Sequence, residues 1–209
     1  MARKRGIESR QVVAAAAIVA DADGLEAVTL ARVAAALDVA SPSLYSHVEG
    51  LAGLRRALAL RAAAGLAAAL STAIEGRVGV DALQAVAHAY RAFAKQHPGQ
   101  YAAINTTPSQ ADDDELFAAL AAPVPAITTV LTGLGLPASD SVAVIRTLRS
   151  ALHGFVMLEA SGGFGLPGDL DESFDVLVDT VIAGITARAA LARTPGLASQ
   201  PAAHPHPDT

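Results

Sequence analysis

Leu30, Val33, Ala34 and Leu37 recur at i, i+3, i+4 and i+7, the spacing that gathers apolar side chains on one face of an α-helix. Thr29 stands just before the run, where its hydroxyl can accept a bond from a first-turn N–H. Asp38 closes this helix, and Val39 and Ala40 cross a short gap. Ser41-Pro42 then predicts a second start, a capping hydroxyl followed by proline at the first helical position. This second helix keeps only Leu44 and Val48 for burial, so Ser41, Ser43, Tyr45, Ser46 and His47 are expected to face outward, each with a hydrogen-bonding group. Two short helices joined by a tight turn, the second presenting a polar row, predict a helix-turn-helix over 28–48 whose outer surface fits a DNA groove.

Apolar periodicity assigns the rest of the chain to helices. Residues 8–22 carry Val12, Val13, Ala16, Ala17 and Ala20 on one face and stop at Gly24; Leu25 and Val28 lead under the motif. A long connecting helix begins near Gly50, with Leu51, Leu54 and Leu58 turned to the small N-terminal core and Arg61 outward. A helix anchored at one end in that core and at the other in the body acts as a lever. After the break at 76–79, residues 80–97 place Leu83, Val86, Ala87, Tyr90, Phe93 and Ala94 on one side, stopped at Pro98-Gly99. Residues 105–110 read as a loop, and Pro123 and Pro125 break the helix that follows Asp112, Asp113, Asp114 and Glu115. That acidic run suits a helix N-terminus; without His or Cys beside it, a metal site is not expected.

Ser139 or Asp140 is expected to cap the penultimate helix and Asp171 to begin the last. Both are apolar on more than one side: Val142, Ile145, Leu148, Leu152, Phe155 and Leu158 on the first, Phe174, Leu177, Val178, Val181, Ile182 and Ile185 on the second. So much apolar surface calls for a second chain, and a two-fold four-helix interface would supply it. Leu148, Leu152, Phe155, Phe174, Leu177 and Val181 are the expected dimer contacts. The fold class is all-α: a three-helix DNA-binding head over 1–50, a long helix leading into a helical ligand-binding and dimerisation body over 51–192, and a proline-rich tail over 193–209 expected to be disordered.

Composition changes this picture in two respects. The 209 residues include no cysteine, which removes disulfides and thiolate metal sites. With 4% aromatic residues in a chain that is 52% hydrophobic, the helices pack through small side chains. No signal-peptide pattern or unbroken run of eighteen apolar residues is present, so the expectation is a cytoplasmic protein with no membrane partner. The net charge of −5 is unevenly spread: residues 1–61 hold eight basic and six acidic groups, a balance of +2 that leaves −7 for the remainder. Arg3, Lys4 and Arg5 form a basic arm able to reach phosphates or a minor groove.

Candidate chemistry is sparse. Gly163, Gly165 and Gly168 match a dinucleotide-loop spacing, but a helix precedes them and Pro167 sits inside, so they read as an inter-helix loop. His204 and His206 are a weak pair in the tail, and His153 interrupts the most apolar helix. No catalytic constellation emerges; no cofactor is expected, and an enzyme is not. A helical enzyme or small-molecule carrier without DNA dependence remains the alternative.

The stretch LARVAAALDVASPSLYSHVEGL resembles the DNA-binding segment of the TetR family of bacterial transcriptional regulators, and RSALHGFVMLEASGGFGLP resembles a C-terminal subgroup with a His-Gly step and a Gly-rich exit, less its frequent tryptophan. The resemblance implies a homodimeric repressor paired through its last two helices, released from a palindromic operator by a small apolar effector. Ser41, Ser43 and His47 would meet base edges or nearby phosphates, Thr29 and Tyr45 phosphates, with Pro42 and Ser46 on the same surface. Tyr90, Phe93, Tyr101, Phe117 and Met157, large side chains on the body helices, are the expected pocket residues. Where many relatives open the following helix with a phosphate-binding lysine, this chain has Leu51, which implies weaker, salt-sensitive binding served by Gly50 and the helix N-terminus.

Overall fold

A computed structural model describes residues 7–106 and 113–193. Among them the chain forms α1 (Ser9–Asp23), a 3₁₀ turn (Leu25–Ala27), α2 (Leu30–Ala36), a 3₁₀ recognition helix (Ser41–Ser46), α3 (Gly50–Ile74), α4 (Gly79–Gln96), α5 (Pro98–Thr106), α6 (Asp114–Ala121), α7 (Val124–Gly133), α8 (Ala138–Ala160) and α9 (Leu170–Arg193). The all-α expectation holds. Arg3, Lys4, Arg5, Asp112, His204, His206 and residues 194–209 of the proline-rich tail lie outside the described residues, whereas Arg193 ends α9.

Local chemistry accounts for the head. Thr29 Oγ1 accepts from the Arg32 N–H at 3.2 Å and caps α2. Asp38, at φ 53°, then closes it in the left-handed conformation, with the Asp38 N–H donating to Ala35 O and the Val39 N–H to Ala34 O. That double bond is the Schellman arrangement, and aspartate tolerates the position better than most side chains. Thr29→Ala removes the cap and is expected to lower stability by about 1 kcal/mol, read as a shift in the urea midpoint; an unchanged midpoint would show the cap to be idle.

Two apolar cores result, and three elements serve both or cross between them. The head core gathers Val12, Ala16 and Ala20 of α1, Val28, Val33, Leu44 and Val48, and is completed by Leu54, Leu58 and Ala59 of α3, Ala103 of α5 and Leu116 of α6. The body core holds Leu83, Tyr90 and Phe93 of α4 with Tyr101 and Ile104 of α5, Leu148, Leu152 and Phe155 of α8, and Phe174, Val178 and Ile182 of α9. Helix α3 contributes Ala62 and Leu70 to the body core, so one continuous helix is seated in both cores. A cut at residue 50 would leave the head core without its floor.

Several expectations are corrected. Leu51 is 36% exposed rather than buried, because α3 starts at Gly50 and its inward stripe begins at Leu54. Asn105 and Thr106 belong to α5. Helix α8 starts at Ala138, beyond Pro137, with neither Ser139 nor Asp140 capping it; Asp140 instead accepts from Arg188 of α9. Asp169, not Asp171, accepts the first N–H bonds of α9. Leu148, Leu152, Phe155 and Phe174 are buried in the subunit's own core, so most of their surface is covered without a partner; Leu177 and Val181 are partly exposed. Phe117 and Met157 are exposed at 68% and 46%, so they are not pocket walls in the subunit. The stretches 50–74, 114–133 and 138–160 are apolar and long enough to cross a membrane by length and composition alone. The second is divided at Pro123 into α6 and α7.

Candidate nucleic-acid interface

The recognition element is a 3₁₀ helix rather than the expected α-helix. Ala40 occupies its N-cap with no side-chain bond, and Pro42 sits in its first turn. Ser41 therefore does not cap it; instead the Ser43 hydroxyl donates to Ala40 O at 2.7 Å and the Ser46 hydroxyl to Ser43 O at 2.9 Å. Side chains three apart eclipse in this geometry, which sorts the surface into ridges. Ser41, Leu44 and His47 form the inner one, with Leu44 fully buried and the other two half-buried. Pro42 and Tyr45 form one outer ridge, Ser43 and Ser46 the other, all four exposed.

This arrangement changes what each group can offer. With their protons spent on the backbone, Ser43 and Ser46 present lone pairs, which suit the amino donors of cytosine or adenine and not a phosphate oxygen. Tyr45 is 65% exposed and carries the one aromatic ring on this surface's outer ridges. Thr29 is exposed beside α2, and because its Oγ1 serves the cap as acceptor, its proton is left for a phosphate. At the start of α3 the Gly50 N–H already donates to Val48 O at 2.9 Å, so the expected Gly50 contribution to phosphate binding is not available in this conformation.

Electrostatics of the described head differ from the whole. Residues 7–61 contain five basic groups against six acidic ones, a balance of −1; the positive excess resides in Arg3, Lys4 and Arg5. Three of these cations are also engaged: Arg10 with Glu8 at 2.6 Å, Arg32 with Asp23 at 2.6 Å and Arg55 with Glu26 at 3.1 Å. Arg56 turns away from the recognition surface and grips Asp113 at 2.6 Å and Glu115 at 2.9 Å, holding Asp113 below the usual carboxylate range through those bonds and the Leu116 N–H. Asp113 thus caps α6 and, with Glu115, anchors Arg56, and no cluster suited to a metal occurs among the described residues.

In the body, Tyr90, Phe93 and Tyr101 are buried together. The Tyr90 and Tyr101 hydroxyls lie 2.8 Å apart, and the Tyr101 hydroxyl lies 2.6 Å from His153 Nδ1. Burial, with the hydroxyl of Tyr90 opposing a second charge, pushes the Tyr101 phenol well above its ordinary value. Burial and then the charge of Arg149 pull His153 down, so neutral groups meet here. Sequence reasoning reached Tyr90 and Tyr101 by size alone and missed what joins head to body: Asp21 of α1 with His97, Gly99 and Gln100 at the start of α5. Their only sequence signal is Pro98-Gly99, a helix start as much as a stop.

A helix-turn-helix carried on a long helix that enters an all-helical body defines a DNA-binding regulator of the kind that couples its head to a body. A sequence profile described as "Tetracyclin repressor-like, C-terminal domain" matches residues 83–181. The chain is 34% identical over 188 residues to the uncharacterised HTH-type transcriptional regulator Rv0681 of Mycobacterium tuberculosis, covering 90% of this chain and 86% of that one. It is 32% identical over 191 residues to the uncharacterised HTH-type transcriptional regulator YobS of Bacillus subtilis, covering 88% and 96%. Among solved structures, a possible TetR family regulator from Streptomyces coelicolor A3(2) superposes with a TM-score of 0.67 at 17% identity, covering 86% and 99%. The chain belongs to the TetR family of helix-turn-helix transcriptional regulators.

Proposed function

We propose that the protein is a homodimeric, ligand-responsive repressor acting in the cytoplasm on a palindromic operator. The observation that carries this reading is the exposed double ridge of Pro42, Ser43, Tyr45 and Ser46 on a head whose inner ridge is locked by Leu44. Two such ridges, roughly 34–36 Å apart, reach successive major grooves. Partly exposed Leu177 and Val181, with exposed Val142 and Val176, supply the apolar face for pairing, and a groove of about 330 Å³ between α8 and α9, lined by Ala143, Thr147, Thr180 and Gly184, accepts a partner's side chains. Tyr90, Phe93 and Tyr101 are the residues against which a small, largely apolar effector would bind. Its differential affinity for two head positions would release DNA.

Arg3, Lys4 and Arg5 supply most of the phosphate attraction in this reading. Removing residues 1–6 is expected to weaken binding to the DNA upstream of the protein's own gene and to flatten the plot of log K against log salt by about 3, one unit per lost phosphate contact. Tyr45→Phe should weaken binding while leaving the salt plot nearly parallel. A salt-controlled shift assay measures both, with genome-wide footprinting to find other sites. Absence of any protected palindrome would end the repressor reading, and an unchanged slope after truncation would remove the arm from it.

A further inference from the structure

Helix α5 is only nine residues long, yet it touches both cores: Ala103 lies in the head core, Tyr101 and Ile104 in the body core. Its first turn is held by the head. Asp21 near the end of α1 accepts from the Gln100 N–H at 2.9 Å through Oδ1 and from Gln100 Nε2 at 2.7 Å through Oδ2, and His97 Nδ1 lies 3.1 Å from the same Oδ2. The Gln100 N–H is among the donors that a helix start leaves without an intrahelical acceptor, so a carboxylate of one helix caps another across the joint, at the end where negative charge is favoured. Gly99 makes the approach possible, since a Cβ there would overlap the Ala20 carbonyl. The next residue, Tyr101, faces the other way and is tied to Tyr90 of α4 and His153 of α8.

We propose that α5 is the coupling element between body and head, with Asp21 and Gln100 as positioning residues for the helix-turn-helix and the Tyr101 hydroxyl bonds as the contact that sets where α5 sits. Breaking those bonds lets α5 shift, the Asp21 cap loosens, and α1 follows. Helix α5 also packs along α3, so the Asp21 cap adds a direct tie to α1 beside the one through the long helix. The functional meaning rests on the regulator reading above: an effector carrying a hydroxyl, carbonyl or carboxylate on an apolar skeleton would compete for the Tyr101 hydroxyl and so reach the head.

Native-state hydrogen exchange on the full chain tests the coupling without DNA or effector, so its failure is separate from failure of the operator assay. Tyr101→Phe keeps the ring and removes both hydroxyl bonds. It is expected to speed exchange of the α1 amides preceding Asp21 about fivefold, with α9 amides little changed. Asp21→Ala should speed the same α1 amides about tenfold, and the double variant should match Asp21→Ala alone, because side chains that share no contact are otherwise independent. If Asp21→Ala unfolds the head, Asp21→Asn replaces it in the same comparison. Wild-type exchange of α1 in Tyr101→Phe, uniform acceleration that includes α9, or a double variant that multiplies the single effects would each overturn the proposal.

Discussion

Replacing Gly99 with alanine is expected to destabilise the protein by about 3 kcal/mol, the upper range for forcing a methyl group into closed packing, and to abolish operator binding at concentrations that saturate the native chain. The new Cβ would overlap the carbonyl carbon and oxygen of Ala20 as well as its side chain. Two of those three atoms are backbone, so no rotamer change relieves the clash. Either α1 tilts away or α5 unwinds its first turn, and both outcomes break the Asp21 bonds to Gln100. Urea unfolding gives the stability change, and a shift assay the loss of binding. The same substitution at Gly154 of α8, where a Cβ meets nothing within 4 Å, is the matched control: it should not destabilise the chain, and the gain in helix propensity should raise stability by up to about 1 kcal/mol. A Gly99→Ala protein with native midpoint and affinity would show the α1–α5 seam to be looser than its geometry requires.

The second large effect is expected at Arg91, on which the sequence pattern places no mark. Its guanidinium lies within the body, 9% exposed, donating to Glu159 at 2.6 and 2.8 Å and reaching Asp171 at 2.8 Å, above the rings of Phe155 and Phe174. It ties the end of α8 to the start of α9 across the Gly163, Gly165 and Gly168 loop. Arg91→Met, similar in length and uncharged, leaves the Glu159 carboxylate with Lys95 alone and should cost about 3 kcal/mol; removing the carboxylate as well, in Arg91→Met/Glu159→Leu, should recover most of it. The pH dependence has a definite sign. Glu159 is held below the usual carboxylate range, first by its hydrogen bonds to Arg91, so its stabilisation is complete above that range, near 4.3 for a free glutamate, and is lost as pH falls through it toward the depressed native value. The native chain should therefore lose stability more steeply than Arg91→Met in that acid window. Equal slopes would remove the pair from the account.

Helix positions in this chain were legible because its apolar residues keep strict spacing: α1, α3 and α4 begin and end within a residue or two of where periodicity and caps place them. What periodicity does not distinguish is which apolar neighbour a residue meets. Leu148, Leu152, Phe155 and Phe174 look the same in sequence whether they face the subunit's own core or a partner, and the structure gives them to the core. Size misled in the same way at Phe117 and Met157. The recognition element kept its position but not its helix type, since Ser-Pro starts suit α and 3₁₀ turns alike and six residues give no periodicity to choose between them. The Asp21 cap was invisible for another reason: it joins residues 79 apart, and nothing local at Asp21 marks it as other than a surface acid.

The buried face of α3 is Leu54, Leu58, Ala59, Ala62, Ala63, Ala67 and Leu70, mostly methyl groups between two cores. Alanine has no side-chain torsion to reset, and methyl groups make a shallow relief beneath the helix. A rod seated on such a surface, with Leu54, Leu58 and Leu70 as its long buried side chains, has few neighbours that must change rotamer when it moves. The head should then exchange between its positions on the microsecond-to-millisecond timescale of collective motions, before a tightly bound operator would dissociate. The lifetime of the protein on its DNA would be set by the DNA contacts, with the protein's own rearrangement ahead of them.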